Sequence, residues 1–342
     1  MYRLFRNLLF KLDAETSHDL ALGTLSRIGN QSVSYHIIQK LLSSPVLNQP
    51  RTVMGIDFPN PVGLAAGLDK QGTCANIFHA LGFGWTEMGT VTPLPQPGNP
   101  KPRMFRLQSH QALINRMGFN SIGLDAFLEN IQKTRTGIIK GINIGKNAAT
   151  PMSNADQDYI TGLQKVYSCA DYVAINISSP NTKNLRDLQD DASLDNLLGL
   201  LDEERQKLAD QWGRRVPLVL KIAPDITTAQ IESIARLSRK HHIDGIAATN
   251  TTVERDRVSD HPFSSEAGGL SGVPLDQKAT QIIQDLYNNL QGEIALIGVG
   301  GIHDTQSAKD KLDAGADLLQ VYTGFIYKGP ALIKQVLRAT KK

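Results

Sequence analysis

The sequence predicts an α/β fold, a (β/α)8 barrel of TIM-barrel type with an N-terminal amphipathic helical extension. Three observations predict it. After Pro50, short β-rich runs alternate with helical patterns, the mark of a parallel sheet covered by helices. Eight such units fill roughly 290 residues, the span of a closed barrel. The G-x-G-x-x-G fingerprint of a doubly wound open sheet is absent around Gly63–Gly72, after the first run. On this reading the 342-residue chain divides into an extension over 1–44 and a barrel over 45–342.

The extension comes first. Leu4, Phe5, Leu8, Leu9 and Leu12 recur at helical spacing, with Arg3, Arg6 and Lys11 between them. Leu20, Leu22, Leu25 and Ile28 follow, then Ile37, Ile38, Leu41 and Leu42, before Pro45 and Pro50 close the segment. This predicts two or three short amphipathic helices. Helices this short do not bury their apolar stripes among themselves. They either dock on the main domain or lie on a membrane surface, and amphipathicity is common to both outcomes. Five basic against three acidic residues over 1–44 exert only a weak electrostatic pull. No apolar run reaches the ~18 residues of a membrane span, and no signal-peptide pattern is read at the start.

The predicted barrel strands are Val62–Ala66, Trp85–Gly89, Gly141–Gly145, Tyr172–Ile177, Leu218–Ile222, Gly245–Thr249, Ala295–Val299 and Leu319–Tyr322. Helical segments follow them, among them Asp191–Asp210, Thr228–Lys240 and Thr305–Ala314. Five prolines make Thr92–Phe105 a loop, and Met104–Leu107 with Ala112–Ile114 is expected as a hairpin after it. Thr251–Gly272 is read as a long polar loop. Both loops follow strand C-termini, where barrels build active sites.

Composition narrows the function classes. Apolar residues at 41% and charged residues at 20% exclude a disordered chain. A net charge of +3 is too small to imply nucleic acid. Cys74 and Cys169 alone form neither a disulfide framework nor a metal cluster, and suggest a reducing compartment.

Chemistry concentrates at the strand ends. Gly298-Val-Gly-Gly301 follows the seventh strand and Tyr322-Thr-Gly324 the eighth, the places where barrels cradle phosphate. Tight αβ turns need the same glycines. Lys221, set among apolar residues, requires an anion or strong acceptor. It serves a Schiff base, a flavin N1–C2=O edge, or a structural pair with an acid. Lys70 suits a substrate carboxylate. Asn176-Ile-Ser-Ser-Pro-Asn181, with Asn250, Thr251, Asn115 and Asn120, supplies amides and hydroxyls for a neutral planar ligand such as a pyrimidine. No histidine stands in a strand-end motif, which argues against a Ser-His-Asp arrangement. Nothing argues for a metal.

Five collinear motifs then carry a resemblance. Gly63-Leu-Ala-Ala-Gly-Leu-Asp-Lys70, Asn115-Arg-Met-Gly-Phe-Asn120, Gly141-Ile-Asn-Ile-Gly-Lys146, Asn176-Ile-Ser-Ser-Pro-Asn-Thr182 and Gly298-Val-Gly-Gly-Ile302 resemble dihydroorotate dehydrogenase. The helical extension and the serine match its membrane-associated, quinone-dependent class (class 2), cytosolic members having cysteine at that position. The resemblance implies an FMN-containing barrel, one FMN per chain, that oxidises (S)-dihydroorotate to orotate in pyrimidine synthesis and is reoxidised by a quinone. It implies that Ala66, Gly67, Leu68, Asp69, Lys70, Thr90, Asn143, Asn176, Lys221, Thr249, Gly272, Gly301, Tyr322 and Thr323 hold FMN. Lys70, Asn115, Arg116, Met117, Gly118, Phe119, Asn176, Asn181, Asn250 and Thr251 would hold substrate, and Ser179 would be the general base, assisted near Thr182 and Phe119. His18 and Arg106 match positions near the quinone tunnel. The implied setting is peripheral, on the cytoplasmic face of the cell membrane, or on the inner mitochondrial membrane if the source is eukaryotic. Neither a nucleic acid nor a dedicated protein partner is implied.

Three rival readings predict different features. A 2-hydroxy-acid oxidase barrel needs a histidine base. A phosphosugar isomerase or synthase barrel needs strand-end carboxylates. A peripheral membrane-binding module leaves the polar strand-end ring unexplained.

Overall fold

A computed structural model describes residues 2–42 and 44–340. Eight parallel strands close into a barrel in chain order: β1 Val62–Leu64, β2 Trp85–Val91, β3 Ile139–Ile144, β4 Tyr172–Asn176, β5 Leu218–Ile222, β6 Gly245–Ala248, β7 Ala295–Val299 and β8 Leu318–Val321. β8 returns to pair with β1. Every predicted strand is present, with ends shifted by a few residues at most. The predicted helices occur as Asp191–Trp212, Thr228–Lys240 and Thr305–Asp313.

Strand periodicity sorts the side chains into two cores. Met88, Ile142, Val173, Ile175, Leu220, Ile222 and Leu319 face outward into the layer shared with the helices. Trp85, Tyr172, Val219 and Leu318 face inward and fill the bottom of the barrel. A hairpin, Arg51–Val53 with Ile56–Phe58, caps that end, and Phe58 packs its ring edge-on to Trp85 at 5.5 Å. The sequence reading did not foresee this hairpin; three-residue strands are too short to show alternation. Two residues above Trp85, Val219 and Leu318 stand Glu87, Lys221 and Gln320, and Asn143 of β3 joins them, so the next interior layer is largely polar.

The expected hairpin is present as Met104–Leu107 with Ala112–Asn115. It gains a third strand, Gly269–Gly272, from the end of the segment read as loop. Gly-Leu-Ser-Gly has little strand propensity, and the pairing comes from the neighbour.

The extension forms three helices, α1 Tyr2–Leu9, α2 Ala14–Asn30 and α3 Ser32–Leu42. Asp13 caps α2 by accepting from Glu15 and Thr16 N–H groups at 2.9 and 3.1 Å. Docking is specific. Glu15 and Arg103 form a buried ion pair at 2.7 Å, and Arg103 also donates to Pro97 and Asn99 carbonyls. Gly29 lets α2 approach Ile77 closely, since a Cβ there would lie 2.7 Å from the isoleucine Cβ. The Tyr35 hydroxyl meets His79 Nδ1 at 2.8 Å. On α1, Tyr2 donates to Ile326 O and Arg6 to Tyr327 O. Leu4, Leu8 and Leu41 remain 78%, 64% and 76% exposed. One side of the extension therefore docks while the other stays apolar and uncovered. Among the described residues no helix is long and apolar enough to cross a membrane.

Candidate active site

Strand C-termini converge on a cleft of about 1020 Å³, its open mouth included. Of the sequence-predicted residues, Ala66, Gly67, Lys70, Thr90, Asn115, Met117, Gly118, Phe119, Asn176, Ser179, Asn181, Lys221, Thr249, Asn250, Thr251, Gly272, Gly301, Tyr322 and Thr323 line it. Among the described lining residues there are two lysines and no carboxylate. The cleft is therefore built for an anion.

Four predicted residues lie elsewhere. Asn143 is one layer behind, where its Oδ1 accepts from Thr90 Oγ1 at 2.6 Å and from Asn176 Nδ2 at 3.2 Å. The buried Asp69 carboxylate accepts from the Thr73 and Cys74 N–H groups and so shapes the turn that presents Lys70. Leu68 faces the second cavity described below. The Arg116 guanidinium turns away, to Glu266 at 2.6 Å and Pro102 O at 2.9 Å, and lies over the Phe105 ring.

The two serines of the Asn176–Asn181 string separate by environment. Ser178 is fully buried. It donates to Asn176 Oδ1 at 3.0 Å and accepts from Asn250 Nδ2 at 2.9 Å. Ser179 lines the cleft, and its Oγ accepts only from Asn181 N–H, at 3.2 Å, among the described bonds. Its own hydroxyl proton is thus uncommitted to protein. Asn181 in turn donates to Asn115 O at 3.1 Å, which joins the strand-end loop to the hairpin. Thr182 is buried beside this string without lining the cleft.

The Lys70 ammonium donates to Gly67 O at 2.6 Å. Burial, and after it the Arg103 charge, push its pKa down to about 8 against the pull of Glu15 and Asp19. Lys221 lies at the floor, and its partner is a residue the sequence reading missed. The Glu87 carboxylate accepts from Lys221 Nζ at 3.0 Å. The available signal was a lone acid in phase with Trp85 on a strand with no other charged residue. Also missed was Arg186, which ties Ser178 O and Thr251 O to Asp225 from behind. At the rim, Gly272 has φ +99, and a Cβ there would lie 2.3 Å from Gln111 O. Only glycine lets the chain pass this close to the Thr323 helix start.

A second cavity, about 1400 Å³ with its opening, lies under α1 and α2 and is almost wholly apolar. Phe5, Leu9, Phe10, Ala21, Leu25 and Ile28 form one side, and Leu68, Met104, Leu113, Phe325 and Ile326 the other. His18 and Arg106, the two predicted tunnel residues, both line it. His18 Nε2 donates to Leu68 O at 3.1 Å, and Arg106 donates to the Leu9 and Leu12 carbonyls. Tyr322 lines both cavities, so its ring is part of the wall between them.

The family model described as dihydroorotate dehydrogenase matches residues 49–342. The chain belongs to the dihydroorotate dehydrogenase family. A Chromobacterium violaceum protein named dihydroorotate dehydrogenase (quinone) is 53% identical over 340 residues, 99% of this chain and 97% of that protein. A Methylibium petroleiphilum protein of the same name is 50% identical over 343 residues, covering 99% and 98%. The crystal structure of the Eimeria tenella enzyme in complex with ferulenol superposes with a TM-score of 0.85 at 36% identity, covering 96% of this chain and 90% of that one. These relatives match the extension as well as the barrel, because the alignments run over nearly the whole chain.

Proposed function

We propose that the chain oxidises (S)-dihydroorotate to orotate in pyrimidine synthesis, with FMN in the barrel cleft and a quinone accepting electrons from the apolar cavity. The observation that carries this reading is the shared Tyr322 wall. One barrel end holds an anion-binding cleft and a carbon-lined cavity back to back, as a polar donor and a lipid-soluble acceptor of electrons require.

The cleft residues fit FMN. Gly272, Gly301 and Thr323 line the cleft at turns that would take a phosphate, Lys221 supplies a cation at the floor, and Gln320 Oε1 is buried without a protein partner. Thr90, Asn176, Thr249 and Tyr322 complete the set, with Asn143 orienting Thr90 and Asn176. When bound, the flavin supplies a two-electron acceptor for hydride.

The chain's own residues account for the rest. Lys70 pairs with the substrate carboxylate, and Asn115, Asn181, Asn250 and Thr251 orient the pyrimidine ring. Ser179 Oγ takes the C5 proton as the C5–H bond breaks and passes its own hydroxyl proton on toward solvent beside Thr182 and Phe119, the C6 hydrogen leaves with its electron pair, and the C5=C6 bond forms. Serine is a weak base, so the amide ring and Lys70 must stabilise the developing enolate. The two electrons, with two protons, end on the quinone. Residues 1–44 form the quinone and membrane unit, 45–342 the catalytic unit. The exposed leucines of α1 and α3 rest in the membrane surface with Arg3 and Lys11 near lipid phosphates, on the cytoplasmic face of the cell membrane.

Anaerobic mixing tests this. Dihydroorotate is expected to bleach the flavin absorbance, and a ubiquinone analogue, but not fumarate or NAD⁺, to restore its oxidised spectrum. Recovery with fumarate or NAD⁺ alone would overturn the role given to the extension. A protein that stays colourless after FMN is added would overturn the whole reading.

A further inference from the structure

Glu87 has no role in the reading above, yet it is the most densely bonded buried charge at the cleft floor. Its side chain has no exposed surface. Oε1 accepts from Lys221 Nζ at 3.0 Å and Asn143 Nδ2 at 2.9 Å. Oε2 accepts from Tyr172 OH at 2.9 Å and Gln320 Nε2 at 2.7 Å. The four donors come from four strands, β3, β4, β5 and β8. Burial pushes the carboxyl pKa up, but the Lys221 charge and the donated bonds outweigh it and hold it below the ordinary value. Glu87 is therefore an anion.

Burying an ion pair costs several kcal/mol per ion before its attraction is counted. The layer beneath, Trp85, Tyr172, Val219 and Leu318, carries no charge. The pair does determine what the cleft sees. Lys221 lines the cleft and Glu87 does not. An ammonium alone would present a full positive charge to whatever binds above the floor. With Glu87 behind it, the same ammonium still donates hydrogen bonds while the net charge of the floor is near zero.

We propose that Glu87 is a positioning residue that holds the Lys221 ammonium at the cleft floor and offsets its field, and thereby sets the reduction potential of the bound flavin. The inference rests on the FMN reading above. Negative charge develops on a flavin as it accepts hydride. An unopposed lysine would stabilise that charge, favour reduction by dihydroorotate and oppose delivery to quinone. Glu87 limits that bias.

The test uses holoprotein, in which the flavin is equilibrated anaerobically with reference dyes. Glu87→Gln is expected to shift the reduced-to-oxidised ratio at least tenfold toward reduced, about 30 mV for a two-electron couple. Lys221→Met is expected to shift it the other way. The double variant, which removes both charges, returns most of the way to wild type. A merely structural pair would not produce shifts of opposite sign that cancel. An unchanged ratio in Glu87→Gln, or a double variant that tracks Lys221→Met, overturns the proposal. Removing one partner leaves a buried unpaired charge. Should Glu87→Gln therefore fail to fold or to keep its flavin, Lys221→Met against the double variant decides alone. A wild-type protein that takes up no flavin would instead defeat the FMN reading, before any variant is compared.

Discussion

The two cavities behind Tyr322 are built from different materials. The barrel cleft mixes amides, hydroxyls, glycines and two lysines with apolar residues such as Met117, Phe119, Val299 and Val321. The cavity under α1 and α2 is lined almost wholly by carbon. The cleft is anchored in the barrel, where eight strands fix each side chain through the sheet register. The cavity is half barrel and half extension, and its outer wall is held by side-chain contacts between helices and barrel, among them the Glu15–Arg103 pair, Tyr2 to Ile326 O and Tyr35 to His79. The difference teaches that rigidity and polarity go together here. Charge chemistry sits where the sheet register fixes each side chain, and the apolar cavity sits where a docked helix pair closes over the barrel end.

The largest expected break of this comparison lies on the cleft side. Ser179→Ala should slow flavin reduction by dihydroorotate roughly 10²–10⁴-fold, the usual contribution of a positioned base, and leave reoxidation by quinone untouched. Stopped-flow traces of both half-reactions check it, and a wild-type reduction rate would remove Ser179 as base.

Next is the cavity side. Glu15→Ala leaves Arg103 buried without its anion, a loss of about 3–5 kcal/mol for a broken buried pair. Lower thermal stability and impaired quinone turnover are expected, with reduction by dihydroorotate preserved. Deletion of 1–44 is predicted to spare reduction and impair reoxidation in the same way. It is the blunter tool, because it also uncovers the surface that Tyr35 and Gly29 pack against.

A smaller effect comes from pH. Lys70 has its pKa lowered by burial to about 8. Below that pH the ammonium is present and pairs with the substrate carboxylate; above it the charge is lost. The KM for dihydroorotate should therefore rise about tenfold per pH unit beyond the pKa, and Lys70→Arg should move the rise to higher pH. A flat KM between pH 7 and 9.5 would sink the assignment.

The smallest effect concerns the membrane face. Leu4→Glu removes one 78%-exposed apolar side chain and should weaken binding to anionic vesicles about tenfold, within the range for one leucine buried in an apolar phase. Co-sedimentation reads it, with flavin reduction unchanged. Equal sedimentation of variant and wild type would put the membrane face elsewhere.

Much of this was legible before folding. The alternation of β-rich and helical runs carried the barrel, because buried parallel strands and amphipathic helices leave different periodicities. The strand-end amides, Lys70, Lys221 and Ser179 were visible because barrels expose that end. Arg116 was not legible. It stands inside a motif whose neighbours face the cleft, and only the packing of Glu266 and Phe105 draws its guanidinium away. The strand Gly269–Gly272 was hidden for a similar reason, since its partner lies more than 150 residues earlier in the chain. Glu87 was hidden because its four donors are scattered from residue 143 to 320 and meet only when the barrel closes.

By itself, the sequence determined the fold class, the helical extension, the strand-end chemistry and the family resemblance. These depend on local periodicity and on residue types at fixed spacing, which a linear chain records directly. Only the tertiary structure decided which face of the extension docks, that Lys221 is paired with Glu87, and that Tyr322 separates two cavities. Those are contacts between distant segments, and their geometry exists only once the sheet has closed and set every side chain's direction.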